Sequence, residues 1–282
     1  MVFEDIVKPI GAKKHPLKLF LYGVIFSVLS VAFSLWIFKE QASLVMVFLT
    51  VVMVMPLMYF TLRDEEEWDW KGYSERKLFS EHNKAIRFLL FMFIGFVVGY
   101  TLFYLFLPDV SVREVFEVQL KTISDINNNV SGNVIGTGTL MLIFENNLKV
   151  LFFCLIFAFF FGAGAIFILA WNASVISAAI GTFFRNAISD SVGLFGFTKG
   201  AVYFQFFFVG ILRYLTHGIF EIAAYFFGAL AGGIVSMAFI RHSIKESGFK
   251  NVIIDASVLT MVALLLLVVG AFVEVYVTPL LF

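Results

Sequence analysis

Long apolar stretches separated by short polar ones make up most of this 282-residue chain. The first two stretches cover about residues 17–38 and 43–62, with a short polar turn between them. Each is close to the roughly 20 residues that a helix needs to cross a hydrocarbon layer of about 30 Å. The pattern therefore predicts a transmembrane helical hairpin near the start of the chain.

Further apolar stretches predict spans at about 86–107, 148–170 and 252–277. Residues 201–240 form one more stretch, which as a single helix would be about 60 Å long, twice what a bilayer needs. We therefore expect it to break at Thr216–Gly218, because Gly218 weakens a helix and Thr216 can cap the next one. Residues 201–215 would then be a short or re-entrant pass, and the chain would make about six to seven passes.

Composition supports this fold class. The chain is 61% hydrophobic and 14% charged, whereas an ordinary soluble domain has roughly 25% charged residues. The predicted fold is an all-α polytopic transmembrane bundle. The formal net charge is zero and the chain has no basic block with interleaved aromatics, so nucleic acid is not expected as a partner. The single cysteine, Cys154, cannot form an intrachain disulfide, and we expect a buried, inert thiol.

Basic residues predict the orientation in the membrane. The first 16 residues carry Lys8, Lys13 and Lys14 and show no removable signal peptide, so we expect a cytoplasmic N-terminus. The loops 63–87 and 241–250 are also basic-rich and should lie on the cytoplasmic side. Residues 108–147 would then form an external loop, and the C-terminus would be external.

The second predicted span is followed by an acidic run, Asp64-Glu-Glu-Glu67. Such a run can bind a cation or a basic partner, but a solvated helix face or loop is commoner. We expect these carboxylates to be solvated.

His217 and Glu221 are ionisable residues within an apolar stretch, and their spacing of four places them on one helix face. Ala224, Gly228 and Gly232 continue that face with small side chains, which predicts close packing against another helix. The face should therefore point into the protein. Gly95 and Gly99 form a second pair with the spacing that permits close packing.

Three interpretations of His217 and Glu221 remain open. They can bond to neighbouring groups and fix the fold, line a route for a proton or small ion, or ligate a metal. The metal interpretation lacks the second histidine of the familiar zinc motif, so we predict neither a metal site, nor a cofactor, nor a catalytic residue. Glu274 and Asn172 can add polar groups within the membrane, and Glu145, Asn146 and Asn147 form a polar group on the external side.

Four motifs resemble the stage II sporulation protein M family of bacteria and its archaeal relatives. They are Phe144-Glu-Asn-Asn-Leu148, the segment Asn172–Gly181, His217-Gly-Ile-Phe-Glu221 and Glu274-Val-Tyr-Val-Thr-Pro279. The sequence departs from the family pattern at Ala173, where glycine is usual, and at Thr216, where proline is usual. The resemblance covers about residues 87–282, so residues 1–86, with the first hairpin and a cytoplasmic loop, look like an addition.

The resemblance implies a polytopic membrane protein that, in spore formers, works with two peptidoglycan-degrading partners during engulfment and localises them. We therefore expect an integral scaffold or assembly factor of the cell membrane, not an enzyme. Its expected partners are the lipid bilayer and other membrane or envelope proteins, and a homo-oligomer is a further expectation. The alternative is a channel or transporter that moves a small ion or solute through a polar site at a broken helix.

Overall fold

The computed structural model describes residues 16–73, 75–131, 137–161, 164–190 and 196–281, and for some of them, including 196–211, 213–215 and 217, the backbone alone. These residues form helices and no strands. In chain order the helices are α1 (Pro16–Ile37), α2 (Ala42–Trp70), α3 (Glu75–Phe106), α4 (Asp109–Val115), α5 (Glu117–Ser131), α6 (Thr137–Phe161), α7 (Ala165–Asp190), α8 (Gly196–Arg241), α9 (Ser247–Phe272) and α10 (Thr278–Leu281). A π-helical turn, Val273–Val277, joins α9 to α10.

Seven helical segments in the described part of the chain are long and apolar enough to cross a membrane. They are Pro16–Ile37, Lys39–Trp70, Lys77–Phe106, Gly138–Phe160, Ala165–Asn186, Gly218–Arg241 and Ser247–Leu281. The predicted all-α polytopic bundle is therefore confirmed, but the passes are distributed differently. The span expected at 148–170 is in fact two spans, on α6 and α7, because α6 begins at Thr137 and a turn interrupts the chain near Gly164.

The predicted break at Thr216–Gly218 is wrong. Residues Gly196–Arg241 form one helix of 46 residues, about 69 Å long at 1.5 Å per residue. The Thr216 hydroxyl donates to the Leu212 carbonyl oxygen at 2.7 Å, one turn back in the same helix, and so does not cap a new one. A single glycine costs a helix only about 1 kcal/mol, which neighbouring turns readily offset.

Ion pairs identify the two ends of the bundle. Arg241 contacts Glu66 at 2.6 Å, which brings the end of α8 beside the end of α2; we call this the Trp70 end. At the opposite end, Arg185 of α7 contacts Asp109 and the carbonyl oxygen of Leu107; we call this the Phe106 end. Residues 63–87 and 241–250 thus lie at the same end, as expected, although 63–87 are mostly helical and not a loop. The extra crossing that brings the chain back there lies in α6 and α7, not in residues 201–240.

The N-terminal hairpin packs tightly on the rest of the bundle through contacts of α1 with α3. A Cβ on Gly95 would collide with the backbone of Phe20 and Gly23, and a Cβ on Gly99 would meet the Ser27 hydroxyl. Ser27, a buried residue, donates to the Gly23 carbonyl oxygen at 2.8 Å, so its polar group is satisfied within α1. The backbones of α1 and α3 can approach each other this closely only where a residue has no side chain. This accounts for the spacing of Gly95 and Gly99 on α3.

Candidate functional site

Four polar side chains from α6, α8 and the π-helical turn meet near the Phe106 end: Asn147, Glu221, Tyr225 and Glu274, which we call the Asn147 cluster. The Asn147 amide donates to Glu221 Oε1 at 2.5 Å and accepts from the Tyr225 hydroxyl at 2.9 Å. Asn147 and Tyr225 are buried and Glu221 is half-buried. One amide thus satisfies a carboxyl group and a phenol at the same time.

Glu274 approaches the cluster from a third segment. Its carboxyl group lies within hydrogen-bonding reach of that of Glu221. Two carboxylates this close repel each other unless a proton or a cation lies between them. Glu274 belongs to the π-helical turn, where Thr278 Oγ1 donates to the Val273 carbonyl oxygen at 3.2 Å. Turns of this type often occur at functional sites, because they re-aim a side chain.

The small-sided face of α8 positions the cluster by packing against α6. A Cβ on Gly232 would lie 2.7 Å from both the Leu155 carbonyl oxygen and the Ala158 Cβ, and one on Gly228 would lie 2.5 Å from Leu151 Cδ1. Cys154, which lies between Leu151 and Leu155 on α6, is buried, and its thiol is 3.4 Å from the Tyr225 carbonyl oxygen. The face therefore points into the protein at these positions, and close approach of α6 and α8 allows Asn147 to reach Glu221.

The remaining candidate residues lie elsewhere. Asn172 bonds to the Ile168 carbonyl oxygen of its own helix, α7, at 2.8 Å. Glu145 and Asn146 are exposed, although Asn147 beside them is buried. The side chain of His217 lies outside the described part of the structure. Among the described residues, Glu221 accepts from Asn147 and lies beside Glu274.

A second polar cluster, at the Trp70 end, was missed by the sequence analysis. It consists of Glu65, Glu66 and Asp69 on α2, His82 on α3, Arg241 and His242 at the end of α8, and Asp255 on α9. We call it the Trp70-end cluster. Its three α2 carboxylates are fully buried, so the expectation that the run Asp64–Glu67 is solvated is wrong for Glu65 and Glu66.

Ion pairs hold the Trp70-end cluster together. Glu66 is 2.6 Å from Arg241 Nη1 and 2.9 Å from His242 Nε2, and the His242 ring stacks on Trp70 with centroids 3.6 Å apart. Glu65 Oε2 is 3.1 Å from His82 Nδ1. Paired charges of opposite sign are the usual condition for burying carboxylates.

The sequence does contain a signal for this second cluster. The buried positions of α2 recur every three or four residues through Val54, Met58 and Leu62, and the same period continues to Glu65 and Asp69. The predicted span ends at residue 62 because charged residues begin at Arg63, whereas the helix continues to Trp70. The period of the buried positions therefore predicts the length of α2 and the burial of Glu65 and Asp69 better than hydropathy does.

The fold and both clusters define a polytopic α-helical membrane protein with polar groups buried between its helices. Residues 88–279 match the family model described as Stage II sporulation protein M. The chain belongs to this family. It is also 25% identical over 194 residues to an uncharacterized protein of the archaeon Methanocaldococcus jannaschii, an alignment that covers 68% of this chain and 91% of the relative. No solved structure matches.

Proposed function

We propose that the protein is an integral scaffold or assembly factor of the cell membrane, with a cytoplasmic N-terminus and an external C-terminus, that organises other membrane or envelope proteins. One observation carries the proposal. The polar groups of the Asn147 cluster bond to one another across three segments, which is what groups that pin a bundle do. A solute pathway instead needs polar groups that face water or the transported ion.

An apolar cavity in the described part of the bundle agrees with this assignment. It has a volume of about 560 Å³ and lies between α6, α8 and α9, with Phe152, Ile156, Val235, Ala256 and Met261 among its lining residues. Asn147, Glu221 and Tyr225 are not among the residues that line it. This cavity therefore gives no solute access to the Asn147 cluster.

Photocrosslinking in native membranes tests the scaffold role. A crosslinking amino acid is placed at Phe152 or Phe160 on the exposed face of α6, and at Leu21 or Ile25 on the exposed face of α1 as the matched comparison. A scaffold should give the same discrete protein adducts from one face in repeated preparations, and fewer from the other. Lipid adducts alone from every position would contradict the proposal.

Transport is the second candidate, and one observation favours it. The Glu221 and Glu274 carboxyl groups lie within hydrogen-bonding reach of each other beside a π-helical turn, an arrangement in which a proton can pass between two residues. In this case Glu274→Gln should abolish proton flux in liposomes while the protein stays folded. If the wild-type protein shows no proton flux in liposomes, transport is excluded as the function.

A further inference from the structure

Three side chains with metal-ligating atoms meet at the Trp70 end, each from a different helix. Asp69 of α2, His82 of α3 and Asp255 of α9 each contribute one such atom, and these atoms lie within 4.8 Å of one another. His82 Nε2 is 2.9 Å from Asp255 Oδ2 and 3.8 Å from Asp69 Oδ1. Ligands at about 2.0–2.1 Å in a tetrahedral site are about 3.3 Å apart, a value between these two distances.

Asp69 supplies an independent observation. Its side chain is fully buried, and neither carboxylate oxygen has a hydrogen-bond donor in the described part of the structure. Its neighbour Asp255 presents a second carboxylate, with an oxygen within 4.8 Å of an Asp69 oxygen. Two adjacent buried carboxylates repel each other unless a proton or a cation lies between them.

His82 is oriented as metal-binding histidines usually are. Its Nδ1 lies 3.1 Å from Glu65 Oε2, so an Nδ1–H donated to this carboxylate leaves the Nε2 lone pair facing Asp69 and Asp255. Histidine ligands of metals almost always donate the other ring N–H to a carboxylate or carbonyl group in this way. The charges agree as well, because a divalent cation offsets two of the three negative charges of Glu65, Asp69 and Asp255.

We propose that Asp69, His82 and Asp255 bind a divalent transition-metal ion, with Glu65 orienting His82. Two carboxylates and one imidazole suit Zn²⁺ or Mn²⁺ better than Mg²⁺, which prefers an all-oxygen octahedral shell. Asp255 is 13% exposed, so water can supply a fourth ligand on that side. The site lies at the opposite end of the bundle from the Asn147 cluster and does not depend on the scaffold proposal.

The metal would join the added hairpin to the family core. Asp69 and His82 precede the region that matches the family model, residues 88–279, whereas Asp255 lies within it. The ion would therefore connect α2 and α3 to α9 at the point where the N-terminal addition meets the core. Its expected role is structural, since a metal that binds only the folded state stabilises that state.

Metal titration of the untagged, EDTA-stripped full-length protein in detergent tests the site. Wild-type protein should bind about one Zn²⁺ or Mn²⁺ per chain by elemental analysis after gel filtration, and its unfolding temperature should rise reversibly, with a smaller response to Mg²⁺. Asp69→Asn and His82→Gln should abolish both effects. Glu65→Gln should weaken binding by about 10–100-fold, as outer-shell changes do.

Glu81→Gln is the matched control. It removes a carboxylate next to His82 in the chain, but the Glu81 carboxylate forms an ion pair with Lys84 and does not belong to the proposed site. This variant should bind metal as the wild type does. Two results would overturn the proposal: no saturable binding of Zn²⁺ or Mn²⁺ to the wild type, or binding that Asp69→Asn leaves unchanged. The wild-type measurement and its reversal by EDTA do not require any variant to fold.

Discussion

The two polar clusters of this protein satisfy buried carboxyl groups in different ways. In the Asn147 cluster, a neutral amide and a phenol partner Glu221. In the Trp70-end cluster, Arg241 and two histidines partner the fully buried carboxylates of Glu65 and Glu66. Glu221 precedes Arg241 by 20 residues on one helix, which is about 30 Å or one bilayer thickness. Buried polar groups with neutral partners thus lie towards the Phe106 end of the spans, whereas a buried cluster of ion pairs lies at the Trp70 end.

The largest effect is expected from breaking a charge pair at the Trp70 end. Arg241→Met leaves the fully buried Glu66 with His242 as its remaining basic contact, and loss of one partner from a buried ion pair costs about 3–5 kcal/mol. Because Arg241 is partly exposed, the lower end of this range is expected. Chemical unfolding in detergent measures the change.

Glu67→Gln is the control for this prediction. Glu67 also contacts Arg241, at 2.8 Å, but it is 42% exposed, so the change should be below about 1 kcal/mol. Equal losses from Arg241→Met and Glu67→Gln would show that burial does not distinguish the two pairs.

A smaller loss is expected in the Asn147 cluster. Asn147→Leu removes a partner from both Glu221 and Tyr225, and an unsatisfied buried group costs about 1–3 kcal/mol. The neighbouring Asn146→Leu changes an exposed side chain and should be nearly neutral. Unfolding of both variants measures the difference, and an equally stable Asn147→Leu protein would mean that the amide does not hold α6 to α8.

The α6–α8 contact beneath this cluster gives the next prediction. A methyl group on Gly232 would press on the Leu155 carbonyl oxygen, which is backbone and cannot rotate away, so Gly232→Ala should cost about 1–3 kcal/mol. On Gly228 it would meet the end of the flexible Leu151 side chain, so Gly228→Ala should cost less. Thermal unfolding that ranks the two in the opposite order would contradict the packing described here.

The smallest effect concerns the continuity of α8. Nothing lies within 4 Å of a Cβ placed on Gly218, so Gly218→Ala should stabilise an unbroken helix by about 0.5–1 kcal/mol. A helix that breaks at this glycine would be destabilised by the same change. A higher unfolding temperature for Gly218→Ala would indicate a continuous helix, and a lower one would indicate a helix that breaks at Gly218.

The fold class could be predicted from sequence because length and hydropathy are direct consequences of bilayer thickness. The residues at which each membrane span begins and ends could not be predicted in this way. The span on α6 was expected to begin at residue 148 because Glu145, Asn146 and Asn147 are polar, yet the helix begins at Thr137. Asn147 is acceptable inside it because Glu221 and Tyr225 satisfy its amide, and such long-range partners are invisible in a linear pattern.

The candidate site was predicted in part. The spacing of Glu221, Gly228 and Gly232 predicts one face of a helix, and Gly228 and Gly232 lie against α6, but Asn147, which donates to Glu221, lies 74 residues away on that helix. The Trp70-end cluster was missed for a different reason. Hydropathy treats each carboxylate as solvated, whereas Glu66 is buried by Arg241, a residue 175 positions later in the chain.

The central claim is that the Asn147 cluster pins the bundle and carries no solute. Glu221→Gln tests it most directly, because glutamine can still accept from Asn147 and can donate to Glu274 but cannot take up or release a proton. The experiment compares the stability of the wild type and the variant, and the decay of a pH gradient in vesicles containing either protein or none. We predict similar stability and no decay beyond that of empty vesicles. Rapid decay with the wild type that Glu221→Gln abolishes would contradict the account.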